Sequence, residues 1–337
     1  MTLAQRPLGT SGLDVTILSF GGAGIGNLYT AVSDAAAHDT LQAAWDAGIR
    51  FFDTAPRYGH GLSERRLGDF LRTKPRDSYV LSSKVGRLLT PLRGRQMGFY
   101  GFVDVLPFEQ EYDYSYDGIM RSHEASLHRL GLDRIDVLYM HDIGVDTHGA
   151  EKNADYFPVA MSGGLKAMNA LKESEAVRAI GLGVNEVEVC MQAFDYSDID
   201  AFLLAGRFTL LEHEGARPLL AACRARGTSL VIGGVFNSGI LATGAVPGAH
   251  YNYAEAPPEI LARVQRLEAV CARHGVPLAA AAQRFPIGHP AVASVLLGVS
   301  SKRNLDRNIA AMDVAIPSAL WTDLVKDGLM AADLAPL

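Results

Sequence analysis

The sequence holds only three cysteines, Cys190, Cys223 and Cys271, and they lie far apart. They form no CxxC pair and no disulfide-dense pattern, so the expected compartment is a reducing cytoplasm. Long apolar runs are missing as well. The longest, such as VASVLLGV from Val292 to Val299, fall short of the roughly 20 residues a membrane helix needs, and no membrane partner is expected. The opening MTLAQRPLGT carries no apolar leader core. Positive charge is in deficit: 31 Lys and Arg stand against 37 Asp and Glu, a formal net charge of −6. Without a basic excess to neutralise phosphates, a nucleic-acid partner is not expected either. Linker composition is absent, with no Ser/Gly tract, Pro-rich run or block of like charge, so residues 1–337 read as a single domain. A hydrophobic share of 48% suffices for a large core and excludes disorder as the main state.

What is present is a repeat of short apolar runs and longer amphipathic stretches. The runs fall at 17–22, 49–54, 79–84, 135–141, 177–184, 200–206, 229–234 and 293–299. They are continuous rather than alternating, as parallel strands buried on both faces should be. Helical stretches separate them at 34–47, 64–72, 117–130, 164–175, 186–194, 215–226, 258–274 and 302–312, with Ser33 as an N-cap and Gly48 as a stop for the first. This pattern predicts an α/β fold, a (β/α)8 TIM barrel, with a doubly wound open sheet as the runner-up. Three additions are expected: an N-terminal hairpin turning at Ser11-Gly12 and closing the barrel bottom, a long loop after strand 3 (85–116), and an extra C-terminal helix near 318–329. A further insert spans 235–257.

A barrel carries its chemistry where the strands end. The polar residues there are Asp53 and Tyr58 in FFDTAPRYG, Lys84 in LSSK, His141 in VLYMHD and Asn185; the first strand ends in glycines, Gly21 and Gly22 among them. Singly, each has an ordinary structural reading. Together an Asp, a Tyr, a Lys and a His suit proton transfer. A tyrosine titrates near pH ~10 and needs a neighbouring cation to work nearer neutrality. Lys84 is that cation, Asp53 holds Lys84, and His141 orients a substrate oxygen. The set suits an oxygen that gains or loses a proton while hydride moves at the attached carbon, with a nicotinamide cofactor carrying the hydride. Other chemistries are less well served. GGAGIG misses G-x-G-x-x-G because Asn27 stands at the last glycine position, and neither a P-loop nor a G-x-S-x-G elbow occurs. One histidine alone, His141, ends a predicted strand, so no metal site is expected.

The stretches FFDTAPRYGHGLSERRLG, LSSK, LYMHD, AIGLGVNE, FNSGIL and SSKRNLDRNIAA, in this order, resemble the aldo-keto reductase superfamily over essentially the whole chain. The resemblance implies Tyr58 as general acid/base, Lys84 tuning it, Asp53 pairing with Lys84, and His141 binding the substrate oxygen. It implies a nicotinamide cofactor extended across the barrel mouth. The cofactor contacts would be Gly21, Gly22, Asp53, Asn185, Phe236, Asn237, Ser238, Gly239, Gly298, Ser300, Arg303, Asn304 and Asn308. Where the family usually has a Ser-Asn pair this chain has Val184-Asn185, and the usual glutamine after strand 6 and stacking tyrosine are missing; Phe236 is the candidate to stand in for the ring. Gly298 and Asn304 occupy positions where members favouring the phosphorylated cofactor often carry Lys and Arg. NAD is therefore expected over NADP, with Lys302 and Arg303 as partial compensation for a 2′-phosphate. Within the superfamily, GFVDVLPFEQEYDYSYDGIMRSHEASLHRLGLDRIDVLYMHDIG and IGGVFNSGILATG are most similar to a branch of D-threo-aldose, L-fucose and L-galactose dehydrogenases and pyridoxal 4-dehydrogenase.

That branch implies an NAD(P)-dependent oxidoreductase acting on CH–OH groups. The leading substrate is an aldose of L-fucose, L-galactose or D-arabinose type, oxidised at the anomeric carbon to a lactone. The alternative is pyridoxal oxidised to 4-pyridoxolactone, and a cofactor-sensing binding subunit is the rival of another class. Arg57 and Asp142, beside Tyr58 and His141, are the expected substrate contacts. The loop 85–116 offers Phe99, Tyr100, Phe102, Phe108, Tyr112, Tyr114 and Tyr116 as an aromatic wall, with Glu109, Glu111, Asp113 and Asp117 as acceptors for sugar hydroxyls. His250, Tyr251 and Tyr253 of the second insert would form the other wall. Monomer and homodimer are left open.

Overall fold

Strand parity organises the molecule. Phe51 and Asp53 face one way in FFD; Val80, Ser82 and Lys84 do so in VLSSKV, and Val137, Tyr139 and His141 in VLYMH. The computed structural model, which describes residues 3–94, 101–252 and 254–336, closes such strands into a barrel. The strands are β1 (Leu18–Gly21), β2 (Phe51–Asp53), β3 (Val80–Val85), β4 (Val137–His141), β5 (Ala179–Val184), β6 (Ala201–Ala205), β7 (Ser229–Gly233) and β8 (Val292–Gly298). All pairings are parallel and follow chain order, and β8 returns to β1 with Val295 opposite Leu18. The (β/α)8 expectation holds and the open sheet is excluded.

One face of each strand fills the barrel. Phe51, Val80, Val137, Tyr139, Ala201 and Val231 pack there with Leu8, Leu13 and Val15. The last three come from the expected hairpin, in which Gln5–Pro7 pairs with Asp14–Thr16 and plugs the N-terminal end. The alternate residues, such as Phe52, Leu81, Leu138 and Met140, pack outward against the helices. The first helix, Asp34–Asp46, starts where expected, with Ser33 Oγ accepting from the Ala36 amide at 3.2 Å. The extra helix near the C-terminus is Ser318–Lys326.

The structure also departs from the sequence reading. Region 85–116 is not a plain loop, because Arg87–Pro91 pairs antiparallel with Phe108–Tyr112. Helix Val145–Val159 was not anticipated; Gly149, at φ 72°, and Pro158 interrupt its pattern. Helix Leu278–Ile287 was missed because LAAAAQRFPI is apolar nearly all round. The 235–257 insert holds a short helix, Ile240–Thr243, and a small pair, His250–Tyr251 with Ala254–Glu255. Phe99, Tyr100 and Tyr253 lie outside the described residues. Among the described residues, no helix is long and apolar enough to cross a membrane.

A cavity of about 430 Å³ lies at the N-terminal end of the barrel, away from the strand-end residues. Its arginines are already engaged: Arg50 donates to the Trp45 and Ile49 carbonyls, Arg134 to Asp77 and Asp136, and Arg178 to the Gly12 carbonyl. The contact from Arg178 ties the hairpin plug to the barrel.

Candidate active site

At the C-terminal mouth, Asp53, Lys84 and His141 end the inward faces of β2, β3 and β4. Register brings them together: Asp53 lies opposite Ser82, and Lys84 opposite Tyr139. Lys84 Nζ donates to Asp53 Oδ2 at 2.7 Å and to the Thr54 carbonyl at 3.0 Å. Ser82 Oγ donates to Asp53 Oδ1 at 2.7 Å. Both charged side chains are buried. Gly183 leaves the room they need, since a Cβ there would meet Lys84 Cε at 3.3 Å. Burial works to lower the Lys84 pKa, but the Asp53 carboxylate and the Tyr58 phenol outweigh it and leave Lys84 raised. Burial lifts the Asp53 carboxyl above its ordinary value, and Lys84 offsets only part of that.

Tyr58 sits on the turn after β2. Gly59, His60 and Gly61 follow at φ 64°, 54° and 95°, a left-handed run that sends the chain into helix Leu62–Leu71. Gly26 lets the first-strand loop close on this turn, because a Cβ there would sit 2.8 Å from the Tyr58 carbonyl carbon. Lys84 Nζ lies 4.8 Å from the Tyr58 ring centroid, and the His141 ring meets the Tyr58 ring edge-on at 6.0 Å. The structure corrects one expectation. Burial raises the Tyr58 pKa above its ordinary value, and Lys84, the largest opposing influence, does not overcome it.

His141 is buried, and desolvation holds it well below its ordinary pKa despite the Asp142 carboxylate. Its Nδ1 has no hydrogen-bond partner among the described residues, and its Nε2 faces Asp142 Oδ2 at 3.6 Å. Burial would raise the Asp142 carboxyl, but His141, Arg87 and Arg57 outweigh it and leave the pKa at about 2. Arg87 Nη2 donates to Asp142 Oδ2. Arg57 is partly buried, and its charge is felt at both His141 and Asp142.

The aromatic wall is real only in part. Phe102 stacks on Tyr58 with ring centroids 5.9 Å apart. Tyr112 and Tyr114 instead surround His148 with Tyr156, while Tyr116 is exposed. Asp113 caps helix Tyr116–Leu130 through Ser115 and pairs with Arg121, and Glu111 accepts from Thr90. These two carboxylates are thus engaged in loop structure. Tyr251 donates to Glu212 Oε1 at 2.5 Å, while His250 is exposed.

The expected cofactor residues fall on the mouth loops with mixed roles. Gly21 and Gly22 are buried, and a Cβ on Gly22 would strike Ser63 Oγ at 2.5 Å, so close packing accounts for that glycine. Asn185 and Ser238 sit on the loops after β5 and β7, and Phe236 packs against the outer core. Asn237 is buried: it accepts from Thr209 Oγ1 at 2.5 Å and donates to the Gly206 carbonyl at 3.2 Å, tying the loops after β6 and β7 together. Gly239, at φ 102°, starts the short helix after them. Gly298 is exposed, with nothing within 4 Å of where its Cβ would be. Ser300 precedes helix Lys302–Met312, which carries Arg303, Asn304 and Asn308 and is capped by Ser301. Lys302 is exposed and its Nζ donates to Asp306 at 2.6 Å, a surface pair within the helix. Arg303 is exposed and makes no ion pair among the described residues. A long helix beginning with an open cation beside an unobstructed Gly298 fits the anionic half of a nucleotide.

Comparison with known proteins agrees with this geometry. The model of the Aldo/keto reductase family matches residues 17–326. The chain belongs to the aldo/keto reductase family. It is 44% identical to a pyridoxal 4-dehydrogenase of Microbacterium luteolum over 97% of this chain and 98% of that protein. It is 39% identical to a D-threo-aldose 1-dehydrogenase of a Pseudomonas species over 98% of this chain and 99% of that protein. Its fold is similar to a solved aldo-keto reductase of Bacillus halodurans in its holo form, with a TM-score of 0.76, 22% identity and coverage of 98% and 97% of the two chains. As a member of this family, the protein is an oxidoreductase acting on CH–OH groups of small molecules with a nicotinamide nucleotide as cofactor.

Sequence reasoning missed Arg87 as part of the site, and it read Tyr114 as a pocket wall rather than as the donor to the His141 carbonyl. Arg87 follows LSSKV after one glycine, but its partner Asp142 is 55 residues away. No local pattern announces that pairing.

Proposed function

We propose that the protein oxidises the cyclic hemiacetal of an aldose, of L-fucose, L-galactose or D-arabinose type, at the anomeric carbon to a lactone, with NAD preferred to NADP. The observation that carries this reading is the convergence of Asp53, Lys84, Tyr58 and His141 at one barrel mouth, with Lys84 Nζ 2.7 Å from Asp53 and 4.8 Å from the Tyr58 ring. When bound, the oxidised nicotinamide supplies the hydride acceptor and a positive charge at the mouth. Tyr58, as phenolate, accepts the proton of the anomeric hydroxyl. Lys84 stabilises that phenolate, and Asp53 keeps Lys84 charged and in place. Neutral His141 donates its Nε2–H to the same oxygen, and Arg57 and Asp142 contact the neighbouring hydroxyls. The alkoxide electrons form the lactone carbonyl as the anomeric hydride leaves.

The preference for NAD rests on the exposed Gly298 and Asn304, which offer no charge to a 2′-phosphate, and on Lys302 being paired with Asp306. Cys190, Cys223 and Cys271 are free and buried, which supports a reducing, cytoplasmic setting. The barrel acts as one unit of 1–337 in this reading. A second reading, oxidation of the hemiacetal of pyridoxal, is favoured by the relative at 44% identity and by the Phe102 ring stacked beside Tyr58, which suits a pyridine face. The test is reduced-nicotinamide absorbance with NAD and NADP against L-fucose, L-galactose, D-arabinose and pyridoxal. Turnover of one sugar above pyridoxal supports the first reading. Turnover of pyridoxal alone selects the second, and tight cofactor binding with none of the four turned over selects a cofactor sensor.

A further inference from the structure

Arg87 is 2% exposed, which is rare for an arginine unless it is paired. It opens the hairpin Arg87–Pro91/Phe108–Tyr112, the insertion after β3. Its Nη2 donates to Asp142, its Nη1 donates to Gln110 Oε1 at 3.2 Å, and the guanidinium lies 4.3 Å over the Tyr112 ring. Its carbonyl accepts from Ser122 Oγ at 3.0 Å, which fixes the hairpin root to helix Tyr116–Leu130. Arg87 is therefore held on three sides by the insertion and extends one hand to the end of β4.

That hand grips Asp142, which sits at φ 51°, in the left-handed region that few residues other than Gly, Asn and Asp adopt. Its carboxylate lies toward His141, with Oδ2 3.6 Å from Nε2. The insertion grips His141 a second time, since Tyr114 OH donates to the His141 carbonyl at 2.8 Å and meets His148 Nε2 at 2.9 Å. A ring histidine is commonly oriented through the nitrogen that does not do the chemistry. Here that nitrogen, Nδ1, is buried with no hydrogen-bond partner among the described residues, and the charged group facing the other nitrogen is the Asp142 carboxylate at 3.6 Å.

A carboxylate so close to an imidazole draws a proton onto it. An imidazolium paired with Asp142 would close across the place of the substrate oxygen. Burial of the ring opposes that pull most strongly, and Arg87, bound to the same carboxylate, offsets more of it. The other charged or titratable groups around His141 are Lys84 and Tyr58, from β3 and the loop after β2, and Arg57 on that same loop. The cations among them oppose protonation as well. We propose that Arg87 is a positioning residue for the reaction: by holding Asp142 it keeps His141 uncharged and aimed at the substrate oxygen, and so couples the hairpin after β3 to the chemistry. The proposal rests on the role given to His141 above.

The test follows the His141 Cε1–H signal against pH by NMR in the full chain without cofactor, for wild type, Arg87→Met, Arg87→Lys and the double variant Arg87→Met/Asp142→Asn. Steady-state rates on the best substrate of the four accompany it. In wild type, His141 is expected to stay neutral to well below the ordinary histidine range near ~6.5. In Arg87→Met, the protonated fraction at neutral pH rises at least about tenfold, and kcat falls roughly tenfold to a hundredfold with little change in KM. Arg87→Lys restores the neutral ring. The double variant leaves no unpaired buried charge and so guards against misfolding; its His141 stays neutral, but kcat remains low because the ring is no longer aimed. A wild-type titration curve in folded Arg87→Met overturns the proposal, as does wild-type kcat in the double variant. Failure of wild type to oxidise any of the four substrates refutes the functional reading instead and leaves the titration result standing.

Discussion

Replacing Lys84 by Met is the sharpest perturbation of the site. Lys84 and Asp53 are 1% and 0% exposed, and their 2.7 Å contact is the buried ion pair at the mouth. Met fills much of the lysine stem but leaves the Asp53 carboxylate in a dry barrel with Ser82 Oγ as its remaining side-chain donor. Breaking a buried pair from one side costs about 3–5 kcal/mol, because an uncompensated charge stays behind. Asp53→Asn strands the lysine in the same way, with the Thr54 carbonyl as its remaining acceptor. The double variant Lys84→Met/Asp53→Asn removes both charges, and its loss should shrink to roughly 2 kcal/mol or less, a coupling that a double-mutant cycle measures. Urea unfolding of the four proteins provides the stabilities. Hydride transfer should be lost in all three variants. Additive single effects, or a Lys84→Met variant as stable as wild type, would refute the claim that a charged pair occupies this position.

Other outcomes follow from the same geometry. Tyr58→Phe should abolish hydride transfer while cofactor binding, read by fluorescence titration, stays near wild type; a near-normal kcat would remove Tyr58 from the chemistry. Because burial holds the Tyr58 phenol above its ordinary pKa and phenolate is the base, kcat/KM for oxidation should climb as pH rises through the neutral and alkaline range. A rate independent of pH would argue against phenolate. Asp142 is held at about 2 against an ordinary 3.8, a lowered value whose stabilisation is present above pH ~4 and lost as pH falls toward 2. The full effect is about 2 kcal/mol, and acid unfolding of Asp142→Asn should show a correspondingly weaker pH dependence over that interval. Gly298→Lys with Asn304→Arg should move cofactor preference toward NADP by roughly tenfold or more per charge, since the Gly298 side is open. An unchanged NAD/NADP ratio of kcat/KM would place the 2′ position elsewhere.

The eight barrel strands were legible because each is a short apolar run between helical stretches, and even three-residue β2 announced itself as FFD. Asp53, Lys84 and His141 were legible for the same reason, since residues at strand ends share a parity that the chain displays directly, whereas Tyr58 lies on the turn after β2 and was placed by the motif around it. The hairpin inside 85–116 was not, because RLLTP and FEQEY alternate only weakly and stand sixteen residues apart. The role of Asp142 was half legible. Its place beside His141 marked it for the site, but its carboxylate is held by Arg87, a partner visible only once the chain is folded. Asn237 was read as open to a ligand, and its side chain is buried and engaged within the protein. The balance between burial and Lys84 at Tyr58 depends on depth in the barrel, which no residue spacing encodes.

The central claim is that this mouth takes a hemiacetal to a lactone. The most direct measurement is product analysis by NMR after incubation of the purified chain with NAD and each of L-fucose, L-galactose, D-arabinose and pyridoxal. The account predicts one equivalent of lactone for each equivalent of NADH, lost in Tyr58→Phe. Formation of an open-chain alcohol or acid without a lactone intermediate, or NADH formation that persists in Tyr58→Phe, would contradict it.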